Sequence, residues 1–345
     1  MNTQEKYLER CLELAKNGLG NTYPNPMVGS VIVYKDKIIG EGWHQKAGEA
    51  HAEVNAINSV PDKSLLKKAT IYVSLEPCSH FGKTPPCSDL IIASGIKKVV
   101  IGTVDPFAKV AGKGIQKLMA AGCEVKVGVL EEACENLNRR FFTFHLKKRP
   151  FIILKWAQTQ NGLLAPEQQT DHRPVWISNK NSQQLVHKWR SEEQGILVGT
   201  NTVLKDNPNL NTRLWNGKNP VRIVLDRTLK IPEKSHVLDG NIKTIVFSEK
   251  AKKGRENLLF ETIDFDENVA EQICKILYKH QIQSVIVEGG SQTLQTFIDA
   301  DLGDEARVFT GKTYFKKGIS APTFSGKLIQ EKNIAGDELK IYGHD

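Results

Sequence analysis

Three residues of the types that bind metal ions stand at the ends of predicted secondary-structure elements in the first third of the chain. His51 lies at the start of one predicted helix, Cys78 follows a predicted strand, and Cys87 lies at the start of the next helix. Imidazole nitrogen and thiolate sulfur suit Zn²⁺, and three protein ligands leave a fourth position open for water. A fold that uses all three residues must bring a strand end and two helix starts to one point.

The neighbouring Glu53 adds chemistry to this pattern. H-x-E followed by P-C-x-x-C is the signature of zinc-dependent deaminases, in which the glutamate moves protons and is not a ligand. Here Pro77-Cys78 and Pro86-Cys87 supply the cysteines, with eight residues between them instead of two. Zinc lowers the pKa of bound water toward ~7, so that hydroxide can attack an amino-bearing ring carbon while Glu53 shuttles the proton.

Two other interpretations of the same residues stay open at this point. The cysteines can be buried core thiols beside an ordinary surface histidine. Alternatively, His44 or His80 can close a four-ligand structural zinc site. The remaining cysteines are expected to be small core residues: Cys11, Cys123, Cys134 and Cys274.

Length and composition limit the function classes. A chain of 345 residues predicts two or three domains. The net charge of +8 fits a solvated surface or attraction to an anionic ligand such as a phosphorylated metabolite or NADPH. The basic residues are scattered, which argues against nucleic-acid binding. No apolar run has membrane-spanning length, and the six cysteines do not have disulfide-scaffold spacing, so a cytoplasmic protein is expected.

Apolar periodicity and turn residues predict alternating helices and strands in both halves of the chain. In the first half the predicted helices are 3–17, 50–58, 88–93, 114–121 and 131–144, and the predicted strands are 28–33, 38–42, 70–74, 98–102 and 125–129. After a basic linker at 147–150, the predicted strands are 151–156, 196–199, 222–225, 244–247 and 284–287, with helices at 182–190, 270–281 and 292–299. This alternation predicts two layered α/β domains, 1–146 and 151–345.

Further motifs accompany the zinc pattern: Pro24-Asn25-Pro26-Met27-Val28-Gly29, Gly42-Trp43-His44, the segment from Glu76 to Cys87, Asp105-Pro106 and Val110-Ala111-Gly112-Lys113-Gly114. Together they resemble the bifunctional deaminase–reductase family of riboflavin biosynthesis, which the long step from Cys78 to Cys87 separates from cytidine and tRNA-adenosine deaminases. The resemblance implies a cytidine-deaminase-like three-layer α/β/α domain that deaminates 2,5-diamino-6-(5-phosphoribosylamino)pyrimidin-4(3H)-one. It implies that the substrate pocket is lined by Asn25, His44 and Lys83.

The second half resembles the reductase domain of the same family, through Trp176-Ile177-Ser178, the segments 187–191, 196–203 and 206–208, and Glu288-Gly289-Gly290. The resemblance implies a dihydrofolate-reductase-like α/β domain that uses NADPH to reduce the ribosyl group of 5-amino-6-(5-phosphoribosylamino)uracil to ribityl. The implied NADPH contacts are Ala157, Trp176, Thr202, Asp206, Gly290, Ser291 and Gln292. The implied substrate contacts are Lys155, Arg190, Leu210, Arg213 and Glu288. A homo-oligomer, dimer or tetramer, is expected by similarity.

Two alternative functions remain. One is a deaminase of another nucleoside or nucleobase with a weakly active or repurposed second domain. The other is a non-catalytic binding protein, which Glu53 argues against because zinc binding alone does not require that carboxylate.

Overall fold

The computed structural model describes residues 2–80, 85–107, 110–167 and 175–344. The chain forms two compact units, Met1–Lys147 and Lys148–Asp345. In the described part of the chain, no helix combines the length and the apolar character that a membrane span requires.

The first unit contains one five-stranded sheet. Its elements in chain order are α1 (Thr3–Lys16), β1 (Gly29–Tyr34), β2 (Lys37–Trp43), α2 (Ala52–Ser59), a 3-10 helix (Lys63–Lys68), β3 (Thr70–Leu75), α3 (Cys87–Ala93), β4 (Lys98–Thr103), α4 (Lys113–Ala120), β5 (Glu124–Val127), α5 (Glu131–Leu137), α6 (Arg139–Phe142) and a π-helical turn (Thr143–Lys147). The strand order is β2-β1-β3-β4-β5. Strand β1 is antiparallel to both neighbours, and β3, β4 and β5 are parallel.

Helices cover both faces of this sheet. Ile32 packs with Ile57 of α2, whereas the adjacent Val31 packs with Leu8 of α1 on the other face. Successive side chains of a strand point to opposite faces, so an unbroken apolar strand such as β1 needs cover on both sides. The three-layer α/β/α expectation is confirmed.

Two glycines of β2, Gly40 and Gly42, set the approach of α2 to the sheet. A Cβ atom at Gly42 of β2 would lie 2.4 Å from the backbone nitrogen of Ala56 and 2.6 Å from the carbonyl oxygen of Ala52. Only a residue without a side chain fits this contact. The first turn of α2, which carries Glu53, is thereby held directly against β2.

The predicted single helix over 131–144 is wrong. The chain forms α5, α6 and a π-helical turn instead, with a break at Asn138. The buried Asn138 side chain accepts a hydrogen bond from the Met27 backbone nitrogen and donates one to the Met27 carbonyl, each at 2.8 Å. An asparagine committed to a distant backbone favours an interruption over a continuous helix.

The second unit contains one nine-stranded sheet and a separate two-stranded ribbon. Its elements are β6 (Phe151–Gln158), β7 (Leu163–Pro166), α7 (Lys180–Glu192), β8 (Gly195–Gly199), α8 (Thr200–Asp206), β9 (Val221–Leu225), a 3-10 helix (His236–Leu238), β10 (Thr244–Ser248), β11 (Leu258–Thr262), α9 (Val269–Lys279), β12 (Ser284–Val287), α10 (Ser291–Asp299), β13 (Glu305–Thr310), β14 (Gly318–Ser320), β15 (Lys327–Ile334) and β16 (Asp337–Gly343). The sheet order is β11-β10-β9-β8-β12-β6-β13-β16-β15, and β7 pairs with β14.

The strands from β11 to β13 run parallel, and the β15–β16 hairpin adds antiparallel strands at one edge. Phe297 of α10 packs with Leu154 on one face, and Trp189 of α7 packs with Ile153 on the other. The unit is therefore a layered α/β structure, as expected. The sequence pattern predicts none of the strands after residue 299. Strand β15 is exposed along almost its whole length and carries no long apolar run, whereas β13 is buried.

Asp304 ties the starts of β6 and β13 together. Its carboxylate accepts hydrogen bonds from Arg149 Nη1 at 2.6 Å, from Arg149 Nη2 at 2.7 Å and from the Ile152 backbone nitrogen at 2.8 Å. Both charged side chains are largely buried, with 14% and 10% exposure. Residues of the sequence-predicted linker are thus fixed to the second unit.

We expect Asp304→Ala to lower the free energy of unfolding of the second unit by about 3 kcal/mol, because it leaves Arg149 as a buried charge without its partner. Denaturant titration measures this loss. The control is Glu256→Ala, which removes an exposed acid of the same unit. Equal stability of the two variants would contradict the assigned role of Asp304.

Candidate active sites

His51, Cys78 and Cys87 converge in the first unit. His51 is the N-cap of α2, Cys78 lies in the segment after β3, and Cys87 is the first residue of α3. Their ligand atoms all lie within 4.8 Å of one another, and His51 Nδ1 is 3.3 Å from Cys87 Sγ and 3.6 Å from Cys78 Sγ. Tetrahedral zinc with ordinary Zn–N and Zn–S bonds separates nitrogen and sulfur by about 3.6 Å. The donor set and its spacing therefore fit zinc.

The two thiols interact strongly. The Cys87 side chain and backbone N–H both donate hydrogen bonds to Cys78 Sγ, the latter at 3.3 Å. The Cys87 thiol contributes most, and together with His51 it outweighs burial and lowers the pKa of Cys78 to about 4. The same contact and burial raise the pKa of Cys87. One thiolate forms readily, and a cation is needed to keep both sulfurs ionised in this buried place.

Glu53 lies beside the three ligands in the first turn of α2, and its side chain is buried. Burial, followed by the charge of Cys78, raises the pKa of Glu53 to about 7, although the charge of His51 acts in the opposite direction. Glu53 is not part of the ligand group. A buried carboxyl beside a metal site, and outside its ligand set, is suited to proton transfer.

His44 and Asn25 form a fixed pair next to this group. The His44 ring lies edge-on to the His51 ring, with centroids 5.3 Å apart. His44 Nδ1 lies 3.1 Å from the carbonyl oxygen of Ala50, which can only accept, so Nδ1 carries the proton and Nε2 accepts from Asn25 Nδ2 at 3.1 Å. Burial lowers the pKa of His44, which favours this neutral form.

This arrangement disfavours the four-ligand structural site. Both ring nitrogens of His44 are already used, and His80 is exposed. Among the described residues, the metal-binding group contains only three His, Cys or acidic side chains. Lys83, the third residue expected in the substrate pocket, lies outside the described residues.

Glu76 supports the metal-binding segment and was not singled out from the sequence. It is buried immediately before Pro77-Cys78. Its two oxygens accept hydrogen bonds, at 2.8 to 3.3 Å, from the backbone N–H groups of Asp105, Gly112, Gly114 and Ile115. The carboxylate thus binds the segment before Cys78 to the start of α4. The sequence signal is an acidic residue directly after a buried apolar strand, where charged side chains are rare.

We expect Glu76→Gln to weaken zinc binding about tenfold or more, because the amide places an N–H₂ group against backbone donors and loosens the segment that carries Cys78. Competition with a chromophoric chelator measures the affinity. The control is Glu132→Gln, at an exposed position on α5 of the same unit. Unchanged zinc affinity in Glu76→Gln would show that this carboxylate does not position the ligand.

A second group of charged residues meets at one edge of the nine-stranded sheet. Strands β8, β12 and β6 are parallel neighbours, so their carboxyl ends lie at the same edge. Glu288, which follows β12, accepts a hydrogen bond from Arg190 of α7 at 2.8 Å, and its Oε2 lies 3.9 Å from Lys155 Nζ of β6. The structure therefore brings three of the five predicted substrate contacts together.

The charges of these three buried side chains shift one another's pKa values. Burial would raise the pKa of Glu288, but the charges of Arg190 and Lys155 outweigh it and hold the pKa at about 2. Burial and the charge of Arg190 lower the pKa of Lys155. Glu288 is therefore an anion that holds two cations at the sheet edge.

The other two predicted substrate contacts, Arg213 and Leu210, differ in the exposure of their side chains. Arg213 is exposed and donates to Asn211 Oδ1 at 3.3 Å, and Arg190 donates to the backbone oxygen of the same Asn211 at 3.2 Å. The Leu210 side chain is buried in an apolar cluster with Val203. Its side chain is committed to the core, which leaves its backbone as the part able to meet a ligand.

The predicted NADPH contacts lie on segments at the same edge. Gly290 is the N-cap of α10, and Ser291 and Gln292 are its first residues. Within the part of the chain that the structure describes, no side chain caps this helix start. A Cβ atom at Gly289 would lie 2.4 Å from Thr293 Cβ, and one at Gly199 would lie 2.5 Å from Thr293 Oγ1. The start of α10 is thus packed against the end of β8, from which α8 continues with Thr202 and Asp206.

Ala157 and Trp176 complete this set. Ala157 of β6 pairs with Phe309 of β13. Trp176 is 57% exposed and precedes Ile177, whose carbonyl oxygen would lie 2.1 Å from a Cβ atom at Gly311, after the end of β13. Uncapped N–H groups at a glycine-led helix start suit the phosphates of a dinucleotide, so the segment fits NADPH.

In a comparison with known proteins, each of the two units matches a family model. Residues 1–103 match the family model of the cytidine and deoxycytidylate deaminase zinc-binding region, and residues 150–317 match that of the RibD C-terminal domain. The chain is 43% identical over 348 residues to riboflavin biosynthesis protein RibD of Aquifex aeolicus, covering 99% of this chain and 96% of that protein. It is 34% identical to RibD of Escherichia coli, covering 99% and 97%.

Solved structures agree over the full length. The crystal structure of a diaminohydroxyphosphoribosylaminopyrimidine deaminase/5-amino-6-(5-phosphoribosylamino)uracil reductase from Thermotoga maritima superposes with a TM-score of 0.90 at 39% identity, covering 99% of both chains. Acinetobacter baumannii RibD, form 1, gives 0.88 at 30% identity, covering 99% of this chain and 98% of that one. This chain therefore belongs to the RibD family of bifunctional, zinc- and NADPH-dependent deaminase–reductases of riboflavin biosynthesis.

Proposed function

We propose that the residues gathered in the two units carry out two consecutive reactions on one phosphorylated pyrimidine. The first is hydrolytic deamination of 2,5-diamino-6-(5-phosphoribosylamino)pyrimidin-4(3H)-one, and the second is reduction of its ribosyl group to ribityl. The observation that carries the proposal is the group His51, Cys78 and Cys87, with ligand atoms within 4.8 Å of one another and the buried Glu53 beside them.

In the first unit, His51, Cys78 and Cys87 hold zinc, which when bound supplies water activated for attack at neutral pH. Glu53 accepts a proton from that water on its carboxylate and delivers it to the departing amino group. Asn25 donates from its N–H₂ group to His44 Nε2. Its side-chain carbonyl oxygen can then accept a hydrogen bond from the pyrimidine ring of the substrate. Lys83 is proposed as a further substrate contact.

In the second unit, the start of α10 and residues Ala157, Trp176, Thr202 and Asp206 hold NADPH, which supplies a hydride for the sugar carbon C1′. Arg190 and Arg213 bind the 5′-phosphate, since guanidinium groups make paired, charge-assisted hydrogen bonds with phosphate. Lys155 and Glu288 bind the sugar, and the Leu210 backbone contributes a contact.

The test is Glu53→Gln in the zinc-loaded chain. We expect ammonia release from the diaminopyrimidinone to fall about 10³-fold, because the proton carrier is lost while the metal ligands remain. Bound zinc should stay at the level of the unmodified chain. NADPH oxidation with the pre-deaminated substrate should also be unchanged, which reports on the second unit.

The control is Glu49→Gln, an exposed acid close in sequence to the site. Ammonia release that survives in zinc-loaded Glu53→Gln would overturn the role of Glu53. Deamination of cytidine in preference to the diaminopyrimidinone would instead support a deaminase of other specificity with a repurposed second domain.

We further propose that the chain forms a homo-oligomer, dimer or tetramer, through β15. This strand is at the edge of the nine-stranded sheet, where it exposes backbone groups, and Leu328 and Ile329 are 44% and 58% exposed. An exposed edge strand with apolar side chains is a template for pairing with another chain.

We expect Ile329→Lys to shift the chain toward monomer, because it places a charge among the exposed apolar side chains of this edge strand. Light scattering during size-exclusion chromatography measures the mass. Met119→Lys, at a 59% exposed position in the first unit, is the matched control. A monomeric unmodified chain would overturn the oligomer, and an unchanged oligomer in Ile329→Lys would overturn the role of β15.

A cytoplasmic location is also proposed. All six cysteines are free, and Cys78 and Cys87 must stay reduced to bind zinc, which suits a reducing compartment. Cell fractionation with recovery in an oxidising compartment would contradict this location.

A further inference from the structure

Arg222, the second residue of β9, is a buried cation that takes no part in the two proposed reactions. Its side chain is 2% exposed. Nε donates a hydrogen bond to the Asn209 carbonyl oxygen at 3.0 Å, whereas Nη1 donates to the His236 carbonyl oxygen at 2.9 Å and to Asp239 Oδ1 at 2.7 Å. A buried charge is tolerated only where it is paired and hydrogen-bonded, so these contacts fix both Arg222 and the segments that it joins.

The segment that follows α8, residues 207–213, connects this buried guanidinium to the proposed substrate site. It carries two of the proposed substrate contacts, Leu210 and Arg213. Its Asn211 carbonyl oxygen accepts a hydrogen bond at 3.2 Å from Arg190, which belongs to the charged group at the sheet edge. The segment is thus hydrogen-bonded to the buried guanidinium at one residue and to the charged group at another.

The backbone of this segment adopts a conformation that needs support. Leu210 has a φ of 50°, and Asn207, where α8 ends, has a φ of 39°. Asparagine tolerates this left-handed region, but a bulky side chain such as leucine rarely occupies it. Such a conformation persists only where the surrounding contacts determine it. The buried Leu210 side chain supplies one such contact, and the hydrogen bond from Arg222 to the preceding residue supplies another.

Arg222 acts on the peptide unit that precedes Leu210. The carbonyl oxygen of Asn209 and the N–H group of Leu210 belong to one planar trans peptide, in which the two groups point in opposite directions. A donor that holds the carbonyl oxygen therefore also sets the direction of the N–H group. The backbone orientation of a proposed substrate contact is thus fixed by a side chain on the opposite side of the peptide.

The 3-10 helix His236–Leu238 supports the start of the same segment. The His236 backbone N–H donates to Asn207 Oδ1 at 2.9 Å, and His236 Nδ1 lies 2.8 Å from the Asn207 carbonyl oxygen. Because Arg222 also binds the His236 carbonyl oxygen, it joins the 3-10 helix and residues 207–209 into one hydrogen-bonded network.

We propose that Arg222 is a positioning residue for the reduction in the second unit. It holds the Asn209–Leu210 peptide so that the Leu210 backbone and Arg213 meet the phosphorylated substrate in a fixed arrangement. Arg213 is exposed, so the direction of its side chain depends on the backbone that carries it. The inference rests on the proposed assignment of Leu210 and Arg213 to the substrate site.

Three variants of the full-length, zinc-loaded chain separate positioning from stability. Arg222→Met removes every donor, and Arg222→Lys keeps the cation without the fork that reaches several partners at once. Asp239→Ala removes the ion pair and leaves the two carbonyl contacts of Arg222 in place. KM and kcat are measured for the NADPH-dependent reduction of 5-amino-6-(5-phosphoribosylamino)uracil. Urea titration measures the stability of each variant, and calorimetry measures NADPH binding.

We expect Arg222→Met to raise KM about tenfold and Arg222→Lys to raise it about threefold or more, with kcat within about twofold of the unmodified chain. Asp239→Ala should lower the urea midpoint, because it leaves a buried cation without its carboxylate, and should keep KM within about twofold. NADPH affinity and ammonia release from the diaminopyrimidinone should be unchanged in all three variants.

Several outcomes overturn the inference. An unchanged KM in both Arg222 variants excludes the positioning role, and if Arg222→Met does not fold, Arg222→Lys decides alone. A KM that rises equally in Asp239→Ala, in step with the lost stability, makes Arg222 a structural residue only. Arg213→Ala tests the underlying site: if KM is unchanged in that variant, the substrate assignment itself fails, independently of Arg222.

Discussion

Two thiols within reach of one imidazole, Cys87 buried and Cys78 half-buried, do not both stay ionised without a cation, and the first unit is organised around that constraint. Cys78 and Cys87 hydrogen-bond to each other, with opposite effects on their pKa values. Bound zinc would resolve this conflict, because a dication shared by the two sulfurs would stabilise both thiolates. Glu53 stays outside the ligand set and is free to carry protons.

Contacts outside the ligand group hold the framework of the first unit together. Glu76 binds four backbone N–H groups from the segment 105–115 and so sets the position of the segment before Cys78. Asn138 pairs with the Met27 backbone from more than a hundred residues away. Gly42 allows α2 to approach β2 closely. Such supporting contacts orient metal ligands within narrow limits.

In the second unit the charges are reversed, with one anion between two cations, and this group also lies near the ends of parallel strands. There an anion, Glu288, holds the cations Lys155 and Arg190 at the carboxyl edge of parallel strands. The carboxyl ends of parallel strands lie at the same edge of a sheet, so residues far apart in the chain meet there. Burial and the charges of Arg190 and Arg213 lower the pKa of the nearby His187 to about 4.

The sequence by itself determined the chemistry and the family. The residue types at positions 51, 78 and 87 already specify a zinc ligand set. The alternation of apolar strands and helices specifies α/β layers, because both depend on local pattern. Only the tertiary structure decided the break at Asn138, the role of Glu76, the burial of Leu210 and the contacts of Arg222. Each of these depends on which distant backbone or side chain a polar group meets, and that is set by packing rather than by neighbours in sequence.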